Sequence, residues 1–294
     1  MRLKLFPSLL TLCLGVSAVV WREGLQPVVA NALPAPTRVA SAEGDVPYVP
    51  TPDEVVIEML KMAGVTKDDV VYDLGSGDGR VVIKAAQQFG ARGVGIEIDS
   101  KLIDKSNDNA RLAGVSDRVK FIKEDLFEAD FKDASVVTLF LLTQVNLKLR
   151  PKLLSELKPG TRIVSHQFKM AGWKPDRDLV MRVGSRYHVI YYWIVPAQVE
   201  GTWQWNVGEE GYSLRLRQDF QEVKGTLKSG DRTLRVSDEK LSGDRLSFQV
   251  TQPVKGNMVT MQFNGRISND TIAGSMEIVG GKEGDRQDWV AKRR

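Results

Sequence analysis

The stretch Val70-Val71-Tyr72-Asp73-Leu74-Gly75-Ser76-Gly77-Asp78-Gly79-Arg80 constrains this chain more than any other, because it reads as a strand, a glycine turn and a helix start. Val70 to Leu74 is short, mostly apolar and opens with β-branched residues, as a parallel strand buried on both faces does. From Arg80 to Phe89, apolar residues recur at helical spacing. Only a tight turn can join the two. Glycines at 75, 77 and 79 permit positive φ and leave no Cβ between the backbone and a ligand at the helix N-terminus. The turn is therefore a candidate cofactor loop.

Side chains among the glycines discriminate between two cofactor types. A dinucleotide site needs Gly-x-Gly-x-x-Gly to receive a pyrophosphate. Here the third glycine comes one residue early, and Asp73 and Asp78 would set negative charge beside phosphate oxygens. S-adenosylmethionine has no phosphate and carries an ammonium and a sulfonium, so an acid-decorated glycine loop suits it electrostatically. A second acid supports the loop. Gly93 to Asp99 reads as a second strand ending near Glu97, about 20 residues past the glycines, where a ribose-binding acid belongs. Glu97 is expected there as a solvated strand-end carboxylate.

Asp73-Leu74-Gly75-Ser76-Gly77-Asp78-Gly79 with Gly95-Ile96-Glu97 resembles the class I, seven-strand S-adenosylmethionine-dependent methyltransferases. Tyr48-Val49-Pro50-Thr51-Pro52, Leu147 to Pro151 and Leu157 to His166 narrow the resemblance. These stretches are similar to the lysine methyltransferases of the ATP synthase c-subunit and the adenine nucleotide translocase, with their prokaryotic relatives. The similarity covers roughly residues 46 to 196. It implies an α/β, Rossmann-like seven-strand sheet and a protein-lysine N-methyltransferase, with Asp73, Gly75, Ser76, Gly77 and Glu97 in the cofactor site. It also implies an acid for the adenine amino group at the end of strand three, Asp125 with Glu124 as the alternative, followed by Leu126. Relatives often carry Pro where Thr143 stands.

The rest of this region follows the same alternation. Pro52 to Gly64 puts Val55, Val56, Met59, Leu60 and Ala63 on one helical face, with Thr51 as the expected N-cap. Ser100 to Gly114 reads as a polar amphipathic helix capped by Ser100, and Arg118 to Lys123 as strand three. Ala134 to Leu142 reads as the central fourth strand, Gln144 to Leu157 as a helix interrupted near Pro151, and Gly160 to His166 as strand five. Asp178 to Val183 and Ser185 to Val195 suggest a closing hairpin. Tyr48, Thr51 and His166 are the polar candidates to orient an acceptor amine, at strand-end or pre-helix positions. Thr51 as a cap and His166 as a hydrogen-bonded strand-end histidine are the structural alternatives, and His188 reads as filler within an aromatic strand.

Composition bounds what else the chain can be. It is 42% apolar and 27% charged with net charge +4, ordinary for a globular protein. Lys and Arg are scattered, so there is no nucleic-acid footprint. The one cysteine, Cys13, leaves the body without disulfides or thiolate metal sites, and no metal is expected. Arg2 and Lys4 precede an uncharged run from Leu5 to Trp21, and Ala30-Asn31-Ala32 follows as a small-x-small site. That is signal-peptide grammar for residues 1–32, though an uncleaved anchor fits too, since the run reaches the lower edge of the ~17–25 residues that span a bilayer. Either implies export or membrane association, in tension with a cofactor made in the cytosol. Residues 33–49 read as a Pro/Ala-rich linker with the pre-domain motif, and 50–196 as the methyltransferase domain.

From Gly201 the pattern turns to period two: Trp203-x-Trp205, Leu214-x-Leu216, Leu234-x-Val236, Leu246-x-Phe248-x-Val250. Short glycine and Asp/Asn turns separate the segments, so residues 200–294 are expected to form an antiparallel meander or small barrel of about eight strands. Its aromatics Trp203, Trp205, Phe220, Phe248, Phe263 and Trp289 fit core filling better than a ligand mouth. The acceptor classes left open are a protein lysine and a small molecule. An exported binding protein with a non-catalytic methyltransferase-like domain is the alternative of another class.

Overall fold

The computed structural model describes residues 48–207, 209–254, 256–280 and 286–294. The expected signal or anchor segment and the linker up to residue 47 lie outside the described residues. Among the described residues no helix is long and apolar enough to cross a membrane.

The first part is a seven-stranded mixed sheet. Helix α1 (Asp53–Met62) precedes β1 (Val70–Leu74), α2 (Arg80–Phe89), β2 (Arg92–Glu97), α3 (Ser100–Leu112), β3 (Val119–Lys123) and β4 (Val136–Leu139). Then come α4 (Thr143–Glu156), β5 (Arg162–His166), β6 (Arg177–Val183) and β7 (Arg186–Ile194). The sheet order is β3-β2-β1-β4-β5-β7-β6, with β1 to β5 parallel and β7 antiparallel to both neighbours. Continuous burial of Val136 to Leu139 explains the unbroken apolar run, because helices cover both faces of that strand.

The elements match the local signals in type and depart from them in detail. Pro52, not Thr51, holds the N-cap of α1, and no side chain caps that end; the Thr51 side chain turns to His166 instead. Helix α3 is capped by Asp99, which accepts from the Lys101 N–H, rather than by Ser100. Helix α4 runs through Pro151 without stopping. Burial of Leu149 and Leu153 on either side of the proline holds it there against the lost backbone bond.

The second part is a closed eight-stranded antiparallel barrel, β8 (Gly201–Val207) to β15 (Gln287–Arg293). Its strands are joined as a meander that closes where Lys292 and Arg293 pair with Gln204 and Trp203. Trp203, Trp205, Phe248, Phe263 and Trp289 are buried in one cluster, with Phe248 stacked on Phe263 at 4.8 Å. The interior is thus filled by side chains, as expected of a small barrel. Phe220 is the exception among the aromatics named from sequence. It sits in the β9–β10 turn at φ 52 and stacks on Trp173 of the first part at 5.5 Å, while Gln221 accepts from Trp173 Nε1–H and donates to the Lys174 carbonyl.

Candidate active site

Parallel strands β1, β2, β4 and β5 end together, and strand order reverses between β1 and β4, so their C-terminal edge forms the crevice in which open α/β sheets bind ligands. Leu74, Glu97, Leu139 and His166 are the last residues of those strands. Asp73, Gly75, Ser76, Gly77, Glu97, Tyr48, Thr51 and His166 all come to this edge or to the turn beside it.

The glycine turn is held from three sides. Gly75 and Ser76 N–H groups donate to the Ile96 carbonyl at 2.9 Å each. Helix α3 reaches over with Ser106 Oγ donating to the Gly77 carbonyl and Asn109 Nδ2 donating to the Asp78 carbonyl, both at 2.9 Å. Glu97 accepts from the backbone N–H of Gly77 at 2.9 Å, Ile98 at 2.8 Å and Asp99 at 3.0 Å. Half-buried rather than free at the strand end, its carboxylate ties the end of β2 to the turn. Two glycines are needed for contact. At Gly77, with φ +55, a Cβ would lie 2.5 Å from the Tyr48 ring; at Gly95 one would lie 2.6 Å from both Phe121 and Ser76 Oγ. Ser106 and Asn109 were not legible as site residues, because in sequence they are ordinary polar positions of an amphipathic helix.

The acids of the turn differ in state. Asp78 is buried but gripped by Arg80, with Nε on Oδ1 at 2.9 Å and Nη2 on Oδ2 at 2.8 Å, so hydrogen bonding and charge from Arg80 hold its carboxyl below the usual range despite burial. Its charge is thereby partly offset, and it contributes less to the field of the loop than its sequence position implies. Asp73 is buried with no Lys or Arg paired to it among the described residues, and its side chain accepts from Thr138 Oγ1 at 2.6 Å. Burial, reinforced by the charges of Glu97 and Asp78, pushes its carboxyl up to about 7. Among the described residues, a buried acid lacking a cation, a buried Ser76 Oγ without a partner and a glycine backbone open to approach fit a cationic cofactor such as S-adenosylmethionine.

At the end of β3 the Glu124 N–H donates to the Glu97 carbonyl at 3.0 Å, which brings Asp125 and Leu126 beside the second strand. Asp125 is exposed and its Oδ1 accepts the Phe127 N–H at 2.9 Å. Leu126 packs against the core beneath.

On the α1 face of the sheet, Thr51 Oγ1 lies 3.1 Å from His166 Nδ1, and His166 Nε2 lies 2.9 Å from His188 Nδ1. Arg80 Nη1 donates to the Thr51 carbonyl at 2.9 Å, so this chain of groups is tethered to the glycine turn. Phe140, just past β4, packs on the His166 ring at 4.1 Å. Burial and the neighbouring His188 lower the His166 pKa to about 4, leaving the ring neutral at pH 7. His188, read from sequence as filler, is the outer member of the chain. Tyr48 lies over Gly77, with Lys105 Nζ 5.6 Å from its ring centroid, and burial next to Asp78 pushes its phenol up to about 12.

The family model described as the ANTKMT methyltransferase domain matches residues 73–177, the stretch that carries this edge. A protein-lysine N-methyltransferase of Saccharolobus islandicus is 48% identical over 151 residues, covering 51% of this chain and 94% of that protein. The adenine nucleotide translocase lysine N-methyltransferase of Mus musculus is 37% identical over 131 residues, 44% of this chain and 56% of that one, so the chain spans about half the length of this relative. A crystal structure named as an RNA methyltransferase from Salinibacter ruber, in complex with S-adenosyl-L-homocysteine, is 54% identical. It covers 51% of this chain and 96% of its own, with a TM-score of 0.49. With 48% identity over 151 residues that cover 94% of the Saccharolobus islandicus protein, and the ANTKMT domain spanning the glycine turn and strand ends, this chain belongs to the protein-lysine N-methyltransferase family and is an S-adenosylmethionine-dependent methyltransferase.

Proposed function

We propose that the protein methylates the side-chain amine of lysine in a protein substrate, and the observation that carries this reading is the buried pair of Thr51 and His166, tethered to the glycine turn by Arg80. S-adenosylmethionine supplies an electrophilic methyl group on a sulfonium. The protein's task is then to hold an amine in line and free of its proton. At pH 7 a lysine of pKa near 10.4 costs about 4–5 kcal/mol to neutralise, which burial and a nearby cation reduce. A neutral His166 adds no competing positive charge, and Thr51 Oγ1 is a short acceptor for an amine N–H. Tyr48 covers the turn at Gly77. For the cofactor, Asp73 suits its ammonium, Glu97 the ribose hydroxyls, the backbone of Gly75, Ser76 and Gly77 its close approach, and Asp125 with Leu126 the adenine.

The N-terminal apolar stretch supports a place at or across a membrane for this enzyme, which fractionation of cells and probing for the mature chain would test. The acceptor is tested by incubating the purified protein with methyl-labelled cofactor and, separately, folded protein mixtures, small amines and RNA. Label mapped by mass spectrometry to lysine side chains is expected. Transfer to small molecules alone, or to RNA alone, would overturn the reading.

A further inference from the structure

We propose that His188 is the exit of a proton relay, taking through His166 and Thr51 the proton that the acceptor ammonium must lose and passing it to solvent. The inference rests on the reading that Thr51 and His166 receive the acceptor amine. His188 touches neither the amine nor the glycine turn, so it is a positioning and relay residue.

The geometry links three groups in a line. Thr51 Oγ1 to His166 Nδ1 spans 3.1 Å and His166 Nε2 to His188 Nδ1 spans 2.9 Å, so both ring nitrogens of His166 are engaged. His166 is 2% exposed and has no route to water of its own, whereas His188 is only partly buried. The relay takes the order in which the Thr51 hydroxyl donates to Nδ1 of His166, His166 Nε2–H donates to Nδ1 of His188, and His188 Nε2–H faces outward; the reverse order, with His166 protonated at Nδ1, engages the same atoms and is the one the test distinguishes. In the first order the chain is directional. Thr51 Oγ1 takes a proton from the ammonium as its own hydroxyl proton moves to His166 Nδ1, the His166 Nε2 proton moves to His188 Nδ1, and the His188 Nε2 proton goes to water. One proton leaves per amine neutralised; after product release a proton from water enters at His188 Nε2, the His188 Nδ1 proton returns to His166 Nε2, the His166 Nδ1 proton returns to Thr51, and one proton leaves Thr51 Oγ1 for water in the emptied site, which restores the starting tautomers.

Charges around the two rings favour passage over storage. No carboxylate is hydrogen-bonded to either imidazole among the described residues. His188 faces Glu54 from α1, Arg186 on its own strand, Met181 across on β6 and His166 on β5. Burial first and Arg186 next lower its pKa, with Glu54 opposing. Both shifts disfavour an imidazolium relative to a free histidine, His166 more strongly than His188.

A second observation points to the same pair. Gln167 sits at φ 68, a conformation uncommon for a residue with a side chain, between His166 and the turn that follows. Its N–H donates to the Val189 carbonyl at 2.7 Å, and its Oε1 accepts the Val189 N–H at 3.0 Å. These two bonds clamp the residues that adjoin His166 and His188, fixing the spacing of the two rings at the cost of a strained backbone.

The test uses the full chain. His188→Gln is expected to lower kcat for lysine methylation by roughly 10- to 100-fold near pH 7, up to the lower end of the ~100- to 10,000-fold typical of proton-transfer catalysis, because water can partly replace the outer member of the relay. KM for cofactor and acceptor should stay within about twofold. The deficit should close as pH approaches that of the free lysine amine, where the proton is already gone, and added imidazole should restore rate at neutral pH. Equal kcat in His188→Gln and parent across the pH range would overturn the relay, as would a deficit that persists unchanged at high pH. Nitrogen-15 spectra of the parent protein without acceptor provide a reading independent of any variant's folding. His166 and His188 protonated at Nε2 support the proposal, and His166 protonated at Nδ1 overturns it. A parent enzyme that labels no lysine refutes the acceptor reading instead, and the spectra then still decide the hydrogen-bond order.

Discussion

Replacing Glu97 by Ala separates two jobs that the structure gives one carboxylate. It accepts three backbone N–H groups, from Gly77, Ile98 and Asp99, at 2.8–3.0 Å. Some of these amides are near solvent and would recover bonds to water, so their loss should cost about 1–3 kcal/mol of stability without cofactor rather than the full value of three charge-assisted bonds. In a chain of this size that corresponds to a fall in Tm of roughly 2–10 °C. The second job is the ribose. Losing two charge-assisted acceptor bonds, partly replaced by water, should weaken cofactor binding by about 10–1000-fold. Scanning calorimetry without ligand reads the first effect and titration calorimetry with S-adenosylmethionine the second. Glu209→Ala, in an exposed turn of the barrel, is the control and should change neither. An unchanged Kd in Glu97→Ala would refute the placement of the ribose, and an unchanged Tm would refute the role of Glu97 in holding the turn.

Four further outcomes are expected. Gly77→Ala, whose Cβ would meet the Tyr48 ring at 2.5 Å from a φ of +55, should displace Tyr48 and weaken cofactor binding at least about tenfold by the same titration. The Asp73 carboxyl, at about 7 in the fold against 3.8 in the unfolded chain, should lose its proton when a cationic ligand binds, so affinity should rise from pH 6 to 8 in the parent and stay flat in Asp73→Asn. His166 lies at about 4 when folded against 6.5 unfolded, so stability should fall as pH drops from 6.5 to 4, by at most about 3 kcal/mol, and urea melts of His166→Gln should lack that loss. Phe220→Ala removes the ring stacked on Trp173 at 5.5 Å and should open the connection at residues 195–200 to limited proteolysis before either part unfolds.

The type of each element was legible because local chemistry sets it. β-Branched runs bounded by glycine made Val70 to Leu74 a strand, and period-two alternation after Gly201 made a barrel of eight strands predictable before any contact was known. The glycine turn and Glu97 were legible for the same reason, since their spacing follows from one strand-turn-helix unit and the next strand. What the sequence could not express is pairing between distant positions. Thr51 fits a helix cap as well as a partner for His166, and only packing of α1 against β5 chose the second, across 115 positions. Asp78 looked like a bare acid until Arg80 folded back onto it. His188 looked like filler because nothing along β7 marks it. Its contact with His166 appears only when the antiparallel β5 and β7 are brought side by side, with Gln167 clamped to Val189. Phe220 was grouped with the barrel core by composition, yet a turn position carried it outward onto Trp173. Short-range steric and hydrophobic preferences therefore determined the elements and the cofactor turn. Long-range burial, which decides what each polar side chain faces once water is removed, determined how the acids and histidines of the site are partnered.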